Sequence, residues 1–180
     1  DVPIKNWTVG EDHDLIHDLS SEVMNEKYLT RPTACFRCAV ACKRNVKVEE
    51  GPYKMEGPGP EYETMSSFGT MCTISDQAAV NKITDLCNRY GIDTISCGCT
   101  MAFAIDCYET GILTDADTGG LKLTWGNGDA VIEAIEQIAV REGFGDVLAD
   151  GSRAAAQKIG KNAADLAVEV KGLEVPMHDP

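Results

Sequence analysis

Aromatic residues make up only 6% of the 180-residue chain, and lysine plus arginine number 16 against 29 aspartates and glutamates, a net charge of −13. The basic residues form no cluster, so neither a nucleic-acid surface nor attachment to an anionic membrane is expected. No apolar run approaches the roughly 20 residues a membrane helix needs. The first residues, Asp1-Val2-Pro3-Ile4-Lys5, lack the basic-then-apolar order of a secretion signal. Internal repeats and low-complexity tracts are also lacking. These absences describe a soluble, cytoplasmic protein whose length allows one ordinary domain.

Cysteine is abundant, with eight residues at 35, 38, 42, 72, 87, 97, 99 and 107. Disulfide frameworks belong to short, loop-rich secreted chains, so reduced thiols fit this chain better, three of them as metal ligands.

The hydrophobic pattern is mainly α. Leu15, Ile16, Leu19 and Val23 recur at helical steps and predict one helix over Asp12–Tyr28, with Pro32 beyond it as the stop. A second helix runs from Ser75 to Tyr90, carrying Ala79, Val80, Ile83, Leu86 and Cys87 on one stripe, and Gly91 stands just past its end. Thr94–Thr110 is small or apolar nearly all round, the composition of a helix buried among others, and Gly111 ends it. Further helices are expected over Asp129–Glu142, with Gly143 as stop, and over Ser152–Ile159. The segment 166–170 is the one strand candidate. Between Thr33 and Met71, Pro52, Pro58 and Pro60 alternate with glycines, which predicts a long irregular loop. The expectation is a multihelical domain, 1–180, whose long Pro/Gly-rich loop carries the chemistry.

That chemistry starts with Cys35-Phe36-Arg37-Cys38-Ala39-Val40-Ala41-Cys42, spaced C-x2-C-x3-C. Three sulfurs so close in sequence suit an iron–sulfur cube or a zinc site. Structural zinc sites usually close with a second near pair of ligands, whereas Cys97 and Cys99 fall in the buried helical pattern, so the cube is preferred. No fourth ligand stands nearby. Downstream, Gly59-Pro60-Glu61-Tyr62-Glu63 sets two carboxylates beside this motif, a redox site with an acid–base group at hand. His13 and His17, set among aspartates, read as a solvated face, and His178 reads as structural.

The cysteine motif, the Gly-Pro-Glu-Tyr-Glu run at 59–63 and Asn88-Arg89-Tyr90-Gly91-Ile92-Asp93 together resemble the tungsten-dependent aldehyde ferredoxin oxidoreductase family. Lys5-Asn6-Trp7 near the start and Lys171-Gly172-Leu173-Glu174-Val175-Pro176 near the end extend the likeness over nearly the whole chain. The resemblance implies an enzyme that oxidises an aldehyde to a carboxylic acid. Its cofactors would be a tungsten (or molybdenum) bis-pterin and a [4Fe-4S] cluster that passes electrons to ferredoxin. This chain would be the middle helical domain, with flanking domains elsewhere in the same polypeptide.

By the same resemblance Cys35, Cys38 and Cys42 are metal ligands, and the fourth thiolate comes from a later domain. Asn88, Ile92 and Asp93 would contact the pterin, with Asn88 standing where the family has an acid and Ile92 where it has leucine. Asn88 keeps a carbonyl acceptor without the charge. Asp93 can both cap a helix and bind a ligand. Glu63 becomes the catalytic carboxylate in preference to Glu61. Two alternatives stay open: a related reductase of aromatic acyl thioesters, and a non-catalytic zinc or iron–sulfur module.

Overall fold

The computed structural model describes residues 2–178. In chain order the elements are α1 (His13–Asp18), α2 (Ser21–Lys27), β1 (Leu29–Thr33), β2 (Lys43–Val48), β3 (Met55–Pro58) and α3 (Tyr62–Met65). A π-helical turn, Ser66–Thr70, follows without a break. Then come α4 (Gln77–Tyr90), α5 (Thr94–Glu109), α6 (Gly128–Val140), α7 (Gly143–Leu148), α8 (Ser152–Ile159), a 3-10 turn (Ala163–Leu166), β4 (Glu169–Val170) and β5 (Leu173–Glu174). The fold is mainly α, as the periodicity predicts, and no helix among the described residues is long and apolar enough to cross a membrane.

Short side chains decide where the helices begin. Asp12, Ser20, Asp76, Asp93 and Asn127 each accept a hydrogen bond from a first-turn amide of the helix that follows. Ser20 corrects the expectation of one helix over 12–28: its hydroxyl takes the Val23 amide at 3.3 Å, so a new helix starts there although the apolar stripe runs through. Gly91 ends α4 in the left-handed region at φ +69°. Gly143 departs from its predicted role. Arg141 takes the left-handed turn after α6, and Gly143 opens α7. Gly145 on α7 lies against α6, where a Cβ would come within 2.3 Å of the Gln137 carbonyl carbon.

The expectation of a long irregular loop over 33–71 also needs correction. Its first half is a three-stranded antiparallel sheet in the order β1-β2-β3, pairing Thr33 with Lys43 and Val48 with Met55. Pro32 and Pro58 sit in the outer strands, where a missing N–H is tolerated. Residues 34–42, 49–54 and 59–61 remain as irregular connections. The strand expected over 166–170 shrinks to Glu169–Val170, paired with Leu173–Glu174, after the 3-10 turn.

α5 runs through the centre. Met101, Ala102, Phe103, Ala104 and Ile105 are all within 1% of full burial, covering every side of the helix. α3 and the π turn lie against its first half. Gly98 permits this approach, since a Cβ there would stand 2.6 Å from Ser67 Cβ and 2.7 Å from the Ser67 carbonyl. Gly98→Ala is therefore expected to push the two helices apart and destabilise the fold by about 1–3 kcal/mol. Thermal unfolding of the variant beside the wild type measures it; an unchanged midpoint would show that the contact is slack.

Candidate cluster and cofactor site

Cys35, Cys38 and Cys42 lie on the connection from β1 to β2, all three exposed. A turn brings the first two together: the Cys38 amide donates to the Cys35 carbonyl at 3.0 Å, and Arg37 inside it is left-handed at φ +59°. Phe36 is 91% exposed, with the Arg37 guanidinium 5.2 Å from its ring centroid. Among the described residues no three His, Cys, Asp or Glu side chains stand close enough to hold one metal ion. The three thiols thus share one short connection without being gathered about a common point.

The other five cysteines are buried. Burial pushes the Cys72 thiol well above the usual range, and a hydrogen bond with Cys87, followed by burial, does the same to Cys97. Burial, with Glu174, Asp93 and Glu63 adding their fields, takes Cys99 up to about 12. Cys107 also reaches about 12, through burial and then Asp106. All five are core residues, as expected from the sequence.

Two outcomes follow. With no metal bound, a thiol alkylating reagent at neutral pH should label Cys35, Cys38 and Cys42 in the native protein and the other five only after denaturation, read by mass spectrometry. Because Cys99 and Cys107 rise on folding, their contribution to stability is complete below the ordinary thiol value of 9.0 and fades as pH climbs toward about 12. Unfolding midpoints should fall across that alkaline window. A flat profile there would contradict the assignment.

The carboxylate motif is held by α3 and the π turn. Thr64 and Thr94 share a hydroxyl hydrogen bond at 2.7 Å, and the Ser67 hydroxyl donates to the Thr94 carbonyl at 3.0 Å. These bonds fix the start of α3 to the start of α5. Asp93, one residue before α5, accepts the Ser96 amide on Oδ2 at 2.9 Å, so its capping role is realised.

Two of the motifs meet at a cavity of about 230 Å³ lined by Lys43, Pro58, Gly59, Glu61, Thr64, Thr84, Asn88 and Thr94, and none of the three exposed cysteines lines it. Lys43 adjoins Cys42, Glu61 belongs to the carboxylate motif and Asn88 opens the third. Ile92 and Asp93 face a separate cavity of about 510 Å³ that reaches Arg141 and Gly151. The six residues from Asn88 to Asp93 therefore contribute to two neighbouring spaces.

Glu63 faces the end of the chain. Its Oε2 accepts the Met177 amide at 2.9 Å, and His178 Nε2 lies 2.9 Å from its Oε1. Tyr62 donates its hydroxyl to the Met177 carbonyl at 2.8 Å, and its ring centroid is 5.1 Å from that of His178. Reading the sequence set His178 aside as structural. The contact spans more than a hundred residues, and no local spacing announces it.

The family model for aldehyde ferredoxin oxidoreductase, domains 2 and 3, matches residues 1–180. The chain belongs to the aldehyde ferredoxin oxidoreductase family. It is 38% identical over 179 residues to a tungsten-containing aldehyde ferredoxin oxidoreductase of Pyrococcus furiosus, and 36% identical to that of Thermococcus kodakarensis, each match covering 99% of this chain. An aliphatic sulfonate oxidoreductase, WOR-like subunit, of Pyrococcus furiosus is 33% identical over 98% of the chain. The chain spans 29% of the length of these curated relatives. Among solved structures, the active site complex BamBC of benzoyl coenzyme A reductase superposes with a TM-score of 0.77 at 29% identity, covering 95% of this chain and 25% of the other. Family members of this kind are oxidoreductases, and this chain corresponds to part of one.

Proposed function

We propose that this chain is the portion of a cytoplasmic tungsten (or molybdenum) bis-pterin oxidoreductase that carries three cluster thiolates, pterin contacts and the catalytic carboxylate. The reaction is oxidation of an aldehyde to a carboxylic acid, with electrons leaving through a [4Fe-4S] cluster to ferredoxin. What chiefly supports the reading is the cavity between Lys43, Glu61, Asn88 and Thr94, because two of the motifs that carry the family resemblance line it and Lys43, the residue that follows the third, joins them.

The residues present suit these groups chemically. Cys35, Cys38 and Cys42 offer three exposed soft donors on one short connection, and other parts of the same polypeptide would supply the fourth thiolate. Arg37, Lys43 and Arg44 offset the negative charge of a thiolate-bound cluster. Asp93 spends Oδ2 on its helix cap, which leaves Oδ1 for a pterin N–H, and Asn88 offers a neutral carbonyl. When bound, the metal–pterin centre supplies the two-electron acceptor and the cluster the one-electron path outward. Glu63 would take the proton released as water adds to the aldehyde carbon.

A second reading keeps the site and changes the reaction. The likeness to a benzoyl coenzyme A reductase complex favours a chain that takes part in reducing an aromatic acyl thioester.

The whole polypeptide, purified without oxygen, should contain tungsten or molybdenum, pterin and about four irons. It should oxidise small aldehydes with a viologen dye as acceptor. Turnover with benzoyl thioester and none with aldehydes would select the second reading. Folded protein holding one zinc and no iron, tungsten, molybdenum or pterin would overturn both in favour of a zinc module.

A further inference from the structure

We propose that α4 carries a buried hydration site, two water molecules held by the side chains of Gln77, Asn81 and Thr84 where α4 packs against the β2–β3 sheet and the α1–α2 junction. All three residues are buried. The site needs neither the proposed reaction nor any other part of the polypeptide.

Asn81 is completely buried, and among the described residues neither its Nδ2 nor its Oδ1 has a hydrogen-bond partner. One turn earlier, Gln77 is only 3% exposed. Its Nε2 donates to the carbonyls of Asp18 and Ser20, both at 2.9 Å, while its Oε1 is buried without a partner. Those two bonds fix which end of the Gln77 amide is nitrogen. At Asn81 the orientation is immaterial, since both ends are unmet. Each buried donor or acceptor left in this state weakens the folding equilibrium by about 5- to 150-fold. Native interiors therefore meet such groups with protein or with water.

The face of α4 that bears these atoms is polar along its length. Steps of four, three and four residues place Gln77, Asn81, Thr84 and Asn88 on one side of the helix, away from the apolar stripe of Ala79, Ile83 and Leu86. A cavity borders each end. Thr84 and Asn88 line the one of about 230 Å³, and Gln77, with Asp18, Tyr28 and Asp76, lines another of about 190 Å³. Asn81 stands between the two, so ordered water there lies within two turns of the proposed pterin contact at Asn88.

Two waters satisfy every unmet atom. Side chains four residues apart on a helix have Cβ atoms about 5–6 Å from one another, a span that one water bridges. The first accepts from Asn81 Nδ2 and donates to Gln77 Oε1. The second donates one proton to Asn81 Oδ1 and the other to Thr84 Oγ1, whose own hydrogen goes to the Val80 carbonyl at 2.8 Å. Each water then makes the minimum of about two bonds that a buried water needs. A metal ion does not replace the pair, because Asn81 Nδ2 requires an acceptor and a cation offers none.

The test uses the whole polypeptide carrying its metals. A crystal structure that resolves ordered solvent should place one water at about 2.7–3.2 Å from both Asn81 Nδ2 and Gln77 Oε1. An Asn81 amide bonded to protein groups alone, or no water at that distance, would overturn the site.

A second measurement reads the sign of a stability change. Asn81→Leu keeps the side-chain volume, expels the water that bridges to Gln77 and leaves Gln77 Oε1 unmet, so its thermal unfolding midpoint should fall below that of the wild type. Were the amide dry, leucine would instead remove two unmet polar atoms and raise the midpoint. A raised midpoint would therefore overturn the proposal as well. If the leucine variant does not fold, the wild-type crystal structure decides by itself.

Discussion

Serine in place of Cys38 is expected to abolish the visible absorption that dithionite bleaches and to reduce aldehyde turnover with an external acceptor by at least about 100-fold. That lower bound is what losing a mere outer partner of a metal ligand can cost, and Cys38 is proposed as a ligand itself. The loss should leave the rest of the fold intact. Cys38 is exposed on the connection between β1 and β2, and the core around α5 does not include it. Far-ultraviolet circular dichroism should therefore stay close to that of the wild type while bound iron falls. The same variant at Cys107, a buried thiol on α5, should do the reverse, keeping iron and losing stability. If Cys38→Ser retained full iron and colour, the proposed ligand set would be wrong.

Glu63→Gln is expected to lower kcat by roughly 10²–10⁴-fold, the range for removal of a positioned general base. Glutamine retains a carbonyl oxygen for the Met177 amide, which now donates to Glu63 Oε2 at 2.9 Å. The segment ending at His178 should therefore stay docked, with stability changed by no more than about 1 kcal/mol. Glu63→Ala removes the acceptor altogether and leaves the amide of the buried Met177 to find another partner. It should lose the same activity and, in addition, release the segment, seen as faster hydrogen exchange of the Met177 amide. Comparing the two variants separates chemistry from docking. Full activity in Glu63→Gln would move the catalytic role elsewhere, with Glu61 in the 230 Å³ cavity as the next carboxylate to test.

Several elements could be read from the chain because their causes are local. The stripe of α4 repeats every three or four residues and stops at Gly91, whose left-handed φ costs no Cβ clash. The nearly uniform apolar character of α5 announced a helix with no solvent face, and its burial matches. The buried cysteines on α4 and α5 were legible for the same reason, being embedded in those patterns. Asp93 as a helix cap was readable from its place before Thr94.

The sheet was not legible. β2 begins Lys43-Arg44-Asn45, and its neighbours include Pro32, Gly57 and Pro58, so neither alternation nor β-propensity stands out. What makes these residues strands is pairing across the sheet, which depends on partners distant in sequence. The break at Ser20 was hidden by an apolar stripe that continues through it, although the hydroxyl cap alone starts a new helix.

By itself the amino-acid sequence determined the helical class, the helix ends at Gly91 and Asp93, the division of cysteines between a polar connection and the core, and the three motifs that mark the family. Only the tertiary structure decided which of these motifs are neighbours. Periodicity and capping act over a few residues and leave a trace at each position. The approach of Asn88 to Glu61, or of His178 to Glu63, depends on how α3, α4, α5 and the final segment pack, and that is fixed by shape: Gly98 lets Ser67 come close, and the Thr64–Thr94 hydroxyl pair holds it there.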